Sequence, residues 1–331
     1  MTVRNPVLCV GLAALILVLG AASILVGRVG VLSVPDVWAA LTAPGSPYAV
    51  IIGELRVPRA LLAIMLGFAL GCGGAALQGL TRNPLAEPGL IGVSGGAALG
   101  AVLTFYSGVS ASWGMALPWG GIAGAAVCVL ALLALAGRSG DILSLIVAGV
   151  TLNILTGALT ALALNFAPNP FAAYELMFWL MGSLADRSLD HVAMAAPFVV
   201  AGIVLLLTTG RGLDALAIGE DAARSLGLSL GWLQLRLVGG CALCVGAAVA
   251  VCGSVGFVGL IAPHLVRALI GHRPGRLLLP SGLAGAVLVL VADIGIRLLP
   301  SGPELRLGVA TALAGAPFFL WLAIARRAGA R

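Results

Sequence analysis

The sequence predicts an all-α, polytopic membrane protein with about ten transmembrane helices, each needing roughly 20 apolar residues to cross the hydrocarbon. Three observations carry that prediction. Of 331 residues, 61% are hydrophobic and only 9% charged, where an average soluble domain has ~25% charged residues. Mean hydropathy is +1.14. Apolar runs of spanning length recur along the chain, separated by short polar breaks. So little charge cannot cover a water-facing surface, and most of the exterior must meet lipid. No stretch is left over for a soluble domain, so residues 1–331 are expected to form a single transmembrane domain.

In chain order the expected spans are 7–27, 58–80, 92–110, 118–137, 143–165, 192–210, 231–253, 256–271, 279–299 and 307–325. The first follows Arg4 and is longer than the 7–15-residue core of a cleaved signal, so it reads as a retained span. Basic residues set the orientation, and all 18 of them are arginine. With both termini inside, eleven arginines are cytoplasmic: Arg4, Arg82, Arg138, Arg211, Arg224, Arg267, Arg273, Arg276, Arg326, Arg327 and Arg331. Six lie outside, at Arg28, Arg56, Arg59, Arg187, Arg297 and Arg306, and Arg236 falls within a span. Six outside is a high count for a membrane protein and asks for its own cause.

Composition also excludes functions. The arginines sit singly at the ends of apolar runs, not in a stripe interleaved with aromatics, so no nucleic acid is expected. Cys9, Cys72, Cys128, Cys241, Cys244 and Cys252 all lie in apolar runs. Cys241 and Cys244 form a CxxC, but it has no second pair and no nearby histidine, so no metal site is expected. A phosphate-cradling loop requires G-x-x-x-x-G-K-[ST], and a chain without lysine cannot supply one. No base stands at readable spacing from a nucleophile, and none of the chain is arranged for covalent catalysis.

Small residues at helical spacing point to tight packing: Gly92, Gly96 and Gly100, Gly67 with Gly71, and Gly120 with Gly124. Three segments are more polar than a plain bundle needs. Pro84 and Pro88 in 82–89 forbid regular helix, giving a rigid turn at the inner face. Residues 211–230 form the longest inner loop. Leu213, Leu216, Ala217 and Leu226 make its apolar face and Glu220-Asp221 its acidic one. Anionic lipid repels such a face, so a protein partner is expected to bind it. Residues 169–190 lie at the outer edge, where Tyr174 and Trp179 suit the interface. Within the spans, Asn153 is a candidate to line a polar path. His264 reads as a structurally hydrogen-bonded histidine rather than a haem ligand.

The run RVPRALLAIMLGFALGCGGAALQGLTRNPLAEPGLIGVSGGAALG (56–100) resembles the permease family that imports vitamin B12, haem and ferric siderophores. So do GEDAARSLGL (219–228), GSVGFVGLIAPHLVRALIG (253–271), LPSGLAGAVLVLVADIGIR (279–297) and ELRLGVATALAGAPFFLWL (304–322). The likeness covers nearly the whole chain after residue 50, in order. Arg306 departs from the family's usual proline. The resemblance implies an ATP-driven importer of the bacterial inner membrane. Two copies of a ten-span subunit form a central path, and two ATP-binding cassette subunits dock inside. A periplasmic or lipid-anchored binding protein delivers substrate, and ATP is bound by the partner, so this chain has no cofactor of its own.

Carried over residue by residue, Arg56, Arg59 and Arg297 match positions that hold carboxylates of the binding protein. Gly219, Glu220, Ala223, Leu226 and Gly227 match the coupling helix seated in the ATPase. Asn83 and Leu85 match an inner gate, and Asn153 lies on the span that lines the path. A guanidinium fork suits carboxylate, although Asp293, four residues before Arg297, can pair with it instead. Overall likeness is nearest to haem permeases, then siderophore, then vitamin B12. The rival is a secondary transporter driven by an ion gradient, for which Asp293 is the candidate acid.

Overall fold

The computed structural model describes residues 5–27, 30–43, 45–137, 141–167, 169–299 and 304–329. Arg4, Arg28, Arg138 and Arg331 lie outside the described residues. Helix α1 (Asn5–Leu25) runs into a hairpin of β1 (Val26–Gly27) and β2 (Gly30–Val31), paired antiparallel with Val26 opposite Val31. Short helices α2 (Val34–Thr42) and α3 (Pro47–Val50) follow. A π turn at Ile51–Arg56 then leads into α4 (Val57–Thr81).

The span expected from residue 58 therefore begins earlier, as part of a 35-residue helical rod at Pro47–Thr81. Pro58 looks like a start signal because proline lacks an N–H and crowds the carbonyl four residues back. The wider π turn just before it relieves both problems.

Arg82, at φ 50, ends α4 in the left-handed region, and a 3-10 turn at Pro88–Ile91 leads to α5 (Val93–Tyr106). The chain continues through α6 (Val109–Ser112), α7 (Ala116–Ala136), α8 (Ile142–Asn165) and α9 (Pro170–Leu180). Next come α10 (Leu189–Thr208), α11 (Gly210–Leu216), α12 (Glu220–Ser225) and α13 (Leu230–Cys241). A second π turn joins α13 to α14 (Ala247–Cys252), and α15 (Val258–Ile270), α16 (Pro274–Leu298) and α17 (Leu307–Gly329) complete the chain.

Among the described residues, seven helices are long and apolar enough to cross a membrane, and three shorter apolar ones lie at Val93–Tyr106, Val258–Ile270 and Leu307–Leu320. Each of these coincides with one of the expected spans. The all-α polytopic class is therefore the observed one.

Helix α4 is the axis of the bundle, buried along almost its whole length, whereas α1 lies at the perimeter. What lets α4 sit so deep is close backbone contact. A Cβ on Gly71 would lie 2.1 Å from the carbonyl oxygen of Ser281, and one on Gly285 2.1 Å from that of Gly67. The α5–α7 pair repeats the device: a Cβ on Gly100 would stand 2.2 Å from Gly120 O, and one on Gly124 2.2 Å from Gly96 O. Gly92 is different. It sits at φ 75 just before α5 and serves the turn, while a Cβ there would also crowd Cys128 Sγ at 3.0 Å.

In lipid these contacts replace the hydrophobic drive that holds soluble helices together. Gly285→Val is therefore expected to destabilise the fold by ~1–3 kcal/mol or more, the usual cost of overpacking. A lowered thermal midpoint in detergent checks it; an unchanged midpoint would rule out the interlock as a stabilising contact.

Candidate functional site

At the end of the bundle where α1 stops and α4 begins, three arginines converge. Arg56 donates from Nη1 to the carbonyls of Ile24 (2.8 Å) and Leu25 (2.6 Å), and from Nη2 to Gly30 O (3.3 Å). Arg297 donates from Nη1 to Ser23 O (2.7 Å) and Val26 O (2.6 Å), and pairs with Asp293 at 2.7 Å. Arg59 donates through Nε to Asp293 Oδ1 (2.8 Å) and through Nη2 to Glu304. The last carbonyls of a helix have no intrahelical donor, and Arg56 and Arg297 supply one to the end of α1. The resemblance implies three arginines that hold carboxylates of a binding protein, with Asp293 as a rival partner for Arg297. The structure brings the three predicted docking residues together but spends most of their donors inside the chain. The pairing of Arg297 with Asp293, expected from their spacing, is made.

Midway along the bundle, a cavity of about 370 Å³ is lined by Glu87, Ser94, Gly95, Asn153, Ser254 and Gly256, among others. Asn153 is exposed on α8, and the missing side chain of Gly95 leaves room beside its Oδ1. Burial pushes the Glu87 carboxyl above its usual range, and the Phe257 backbone N–H pulls it the other way. Phe257 adopts φ 66, left-handed backbone that is costly for a bulky residue.

Next to this cavity stand the expected gate residues. Asn83 accepts from Leu85 N at 2.9 Å, which closes the turn that Pro84 and Pro88 enforce, and Leu85 is exposed. Asn83 and Glu87 also line a small adjoining cavity of about 50 Å³.

The 211–230 segment forms two helices at the end of the bundle opposite the arginines. Asp214 fastens α11 by accepting from Gly275 N and from Arg273 Nε, both at 2.8 Å. Leu213 and Leu216 are buried in this chain's own core, so they are not the partner-facing surface the sequence suggests. Helix α12 follows, seated on the bundle by one face. Gly219 (φ 114) and Gly227 (φ 80) bracket it in backbone that favours glycine. Glu220 stands in its first turn, where a negative charge complements the helix dipole, and reaches Arg82 at 3.5 Å. Ala223 is buried, while Leu226 is 68% exposed. Of the five predicted coupling residues, then, Gly219, Ala223 and Gly227 shape and seat the helix, and Glu220 and Leu226 face outward.

Sequence reading passes over one network. Gln78 is buried in α4, donates to Gly259 O (3.3 Å) and accepts from Arg267 Nη2 (2.7 Å), tying α4 to α15. A glutamine inside a 25-residue apolar helix is the signal that could have found it. Arg306 finds an aromatic partner, its guanidinium lying 5.0 Å from the centre of the Phe178 ring. His264 packs edge-on against Phe318, ring centres 5.6 Å apart.

Comparison with known proteins agrees in extent with this architecture. The profile of the FecCD transport family matches residues 15–325. The vitamin B12 import system permease protein BtuC of Salmonella paratyphi A is 39% identical over 272 residues, 82% of each chain. An uncharacterized ABC transporter permease protein, YvrB of Bacillus subtilis, is 37% identical over 289 residues, 86% of this chain and 81% of that one. Among solved structures, one described as an inward-facing ABC transporter of metal-chelate type superposes with a TM-score of 0.84 at 29% identity. It covers 97% of this chain and 99% of that one.

Proposed function

The chain belongs to the FecCD transport family, the permease subunits of ABC importers, and from that premise we propose how it works and what it carries. Two copies form a central path across the bacterial inner membrane, with both termini cytoplasmic. Two ATP-binding cassette subunits grip the 211–230 segments, and a substrate-binding protein docks at the arginine end. The cargo is a bulky metal chelate: vitamin B12, haem or a ferric siderophore. The names of the relatives support that class, and the cavity beside Asn153, walled by small and polar groups, suits a passage that releases rather than traps.

The observation that carries the reading is Leu226, a large apolar side chain 68% exposed on a short acidic helix outside the spans. Such a helix fits an apolar groove on a protein. A chain without lysine has no phosphate loop of its own, so the power stroke comes from that partner. Asp293, the acid a gradient-driven transporter would need, is held between Arg59 and Arg297 at a span end.

The test is uptake into proteoliposomes loaded with ATP, with radiolabelled vitamin B12, haem and a ferric siderophore in parallel. One of the three is expected to accumulate only with the ATPase subunits and ATP present. Accumulation that persists without ATP and collapses with the ion gradient would refute the reading.

A further inference from the structure

The three arginines at the docking end are not equivalent. Arg297 is sealed, its side chain 3% exposed, and it is paired with Asp293, which is 1% exposed. Arg56 is buried against the carbonyls of α1 and the hairpin. Arg59 alone of the three holds an acid that also reaches the surface: its side chain is 12% exposed and that of Glu304 is 16% exposed. Asp293 sits within α16 and is fixed by it, whereas Glu304 lies in non-helical chain three residues before α17. Within the cluster the three arginines face the two carboxylates of Asp293 and Glu304.

We infer that Glu304 is a built-in competitor for Arg59, occupying the guanidinium edge that an acidic docking partner must take, and so sets the affinity of that partner. The inference rests on the docking reading above. Exchange conserves charge at Arg59: one carboxylate leaves Nη2 as another arrives, and Asp293 keeps its contacts with Nε and Nη2 throughout. The partner gains little net affinity for a contact that replaces an existing one, which suits a carrier that must leave after delivery. The displaced acid heads a segment anchored elsewhere. Arg306 lies over Phe178, and the start of α17 is tied down by Leu307 N to Gly182 O (3.0 Å) and Gly308 N to Met181 O (3.1 Å). Those ties do not involve Glu304, so the acid can leave Arg59 while the rim of the cavity bordered by Met181, Ser254 and Gly308 stays in place.

The experiment uses the purified permease with its ATPase subunits in nanodiscs, comparing wild type, Glu304→Gln, Glu304→Asp and Arg59→Gln. Phenylglyoxal modification of Arg59, followed by peptide mass spectrometry, reports whether the guanidinium edge is covered. Binding of the importer's own purified substrate-binding protein reports the competition. Glu304→Gln is expected to speed modification severalfold and tighten binding roughly tenfold at low salt, with the gain lost at high salt. Glu304→Asp, which keeps the charge, restores wild-type values in both.

Slower or unchanged modification in Glu304→Gln, or unchanged affinity despite faster modification, overturns the inference. That failure is separable from failure of the docking reading: in the first case Arg59→Gln still weakens binding, whereas normal binding by Arg59→Gln removes docking and competitor together.

Discussion

A Leu226→Asp permease is expected to accumulate normally in the membrane and yet import nothing measurable. Leu226 is 68% exposed, so its own chain does not need it. Burying a leucine side chain is worth roughly 1.5–3 kcal/mol. Placing an unpaired carboxylate in the same apolar groove reverses that gain and adds a desolvation cost of several kcal/mol. Co-purification of the ATPase should fall at least tenfold, about 1.4 kcal/mol, and uptake should fall with it. Leu213→Asp provides the contrast. Leu213, on the inward face of α11, is fully buried, and its loss should lower the yield of folded protein before any partner is considered. Normal uptake by Leu226→Asp would show that the power stroke enters elsewhere.

The second large effect belongs to Asp293. It is 1% exposed and joins Arg59 on α4 to Arg297 on its own helix. Asp293→Ala leaves two guanidinium groups facing each other without their shared acid, and breaking a buried pair from one side costs about 3–5 kcal/mol. Helices α4 and α16 lose the acid that joins them, and Arg297, which also holds the end of α1, loses its partner, so the thermal midpoint in detergent should drop sharply. Asp293→Asn, which keeps an acceptor but not the charge, should fall between the two. A midpoint unchanged by Asp293→Ala would mean that Glu304 suffices to hold Arg59 and the carbonyls of Ser23 and Val26 suffice to hold Arg297.

The same geometry warns against a tempting experiment. Charge reversal at Arg56 and Arg59 looks from sequence like a clean probe of docking. In the structure Arg56 also serves the carbonyls of Ile24, Leu25 and Gly30. Lost docking in that double variant is informative only where assembly is shown to be intact.

The helices were legible because lipid imposes a simple rule: twenty or so apolar residues, then a break. Most helix ends fall within a few residues of the expected ones, since polar loops cannot enter hydrocarbon; the start expected at residue 58 does not. Where reading failed, the cause was tertiary. Pro58 imitates a helix start, and nothing local announces the π turn that absorbs it. Leu213, Leu216 and Leu226 share one apolar pattern, and only the folded chain shows that the first two are buried and the third is not. The arginines at 56, 59 and 297 could be grouped by likeness. That they bind α1, the hairpin, Asp293 and Glu304 required long-range neighbours that no window of sequence contains.

The backbone contact between α4 and α16 has a consequence for motion. With Gly71 against Ser281 and Gly285 against Gly67, sliding either helix by a turn would drive a side chain into a carbonyl. The two therefore travel as one strut. Helix α15, packed beside that strut, is by contrast flanked by glycines in left-handed backbone, Gly253 before it and Gly271 after it, so its connections can bend where the strut cannot slide.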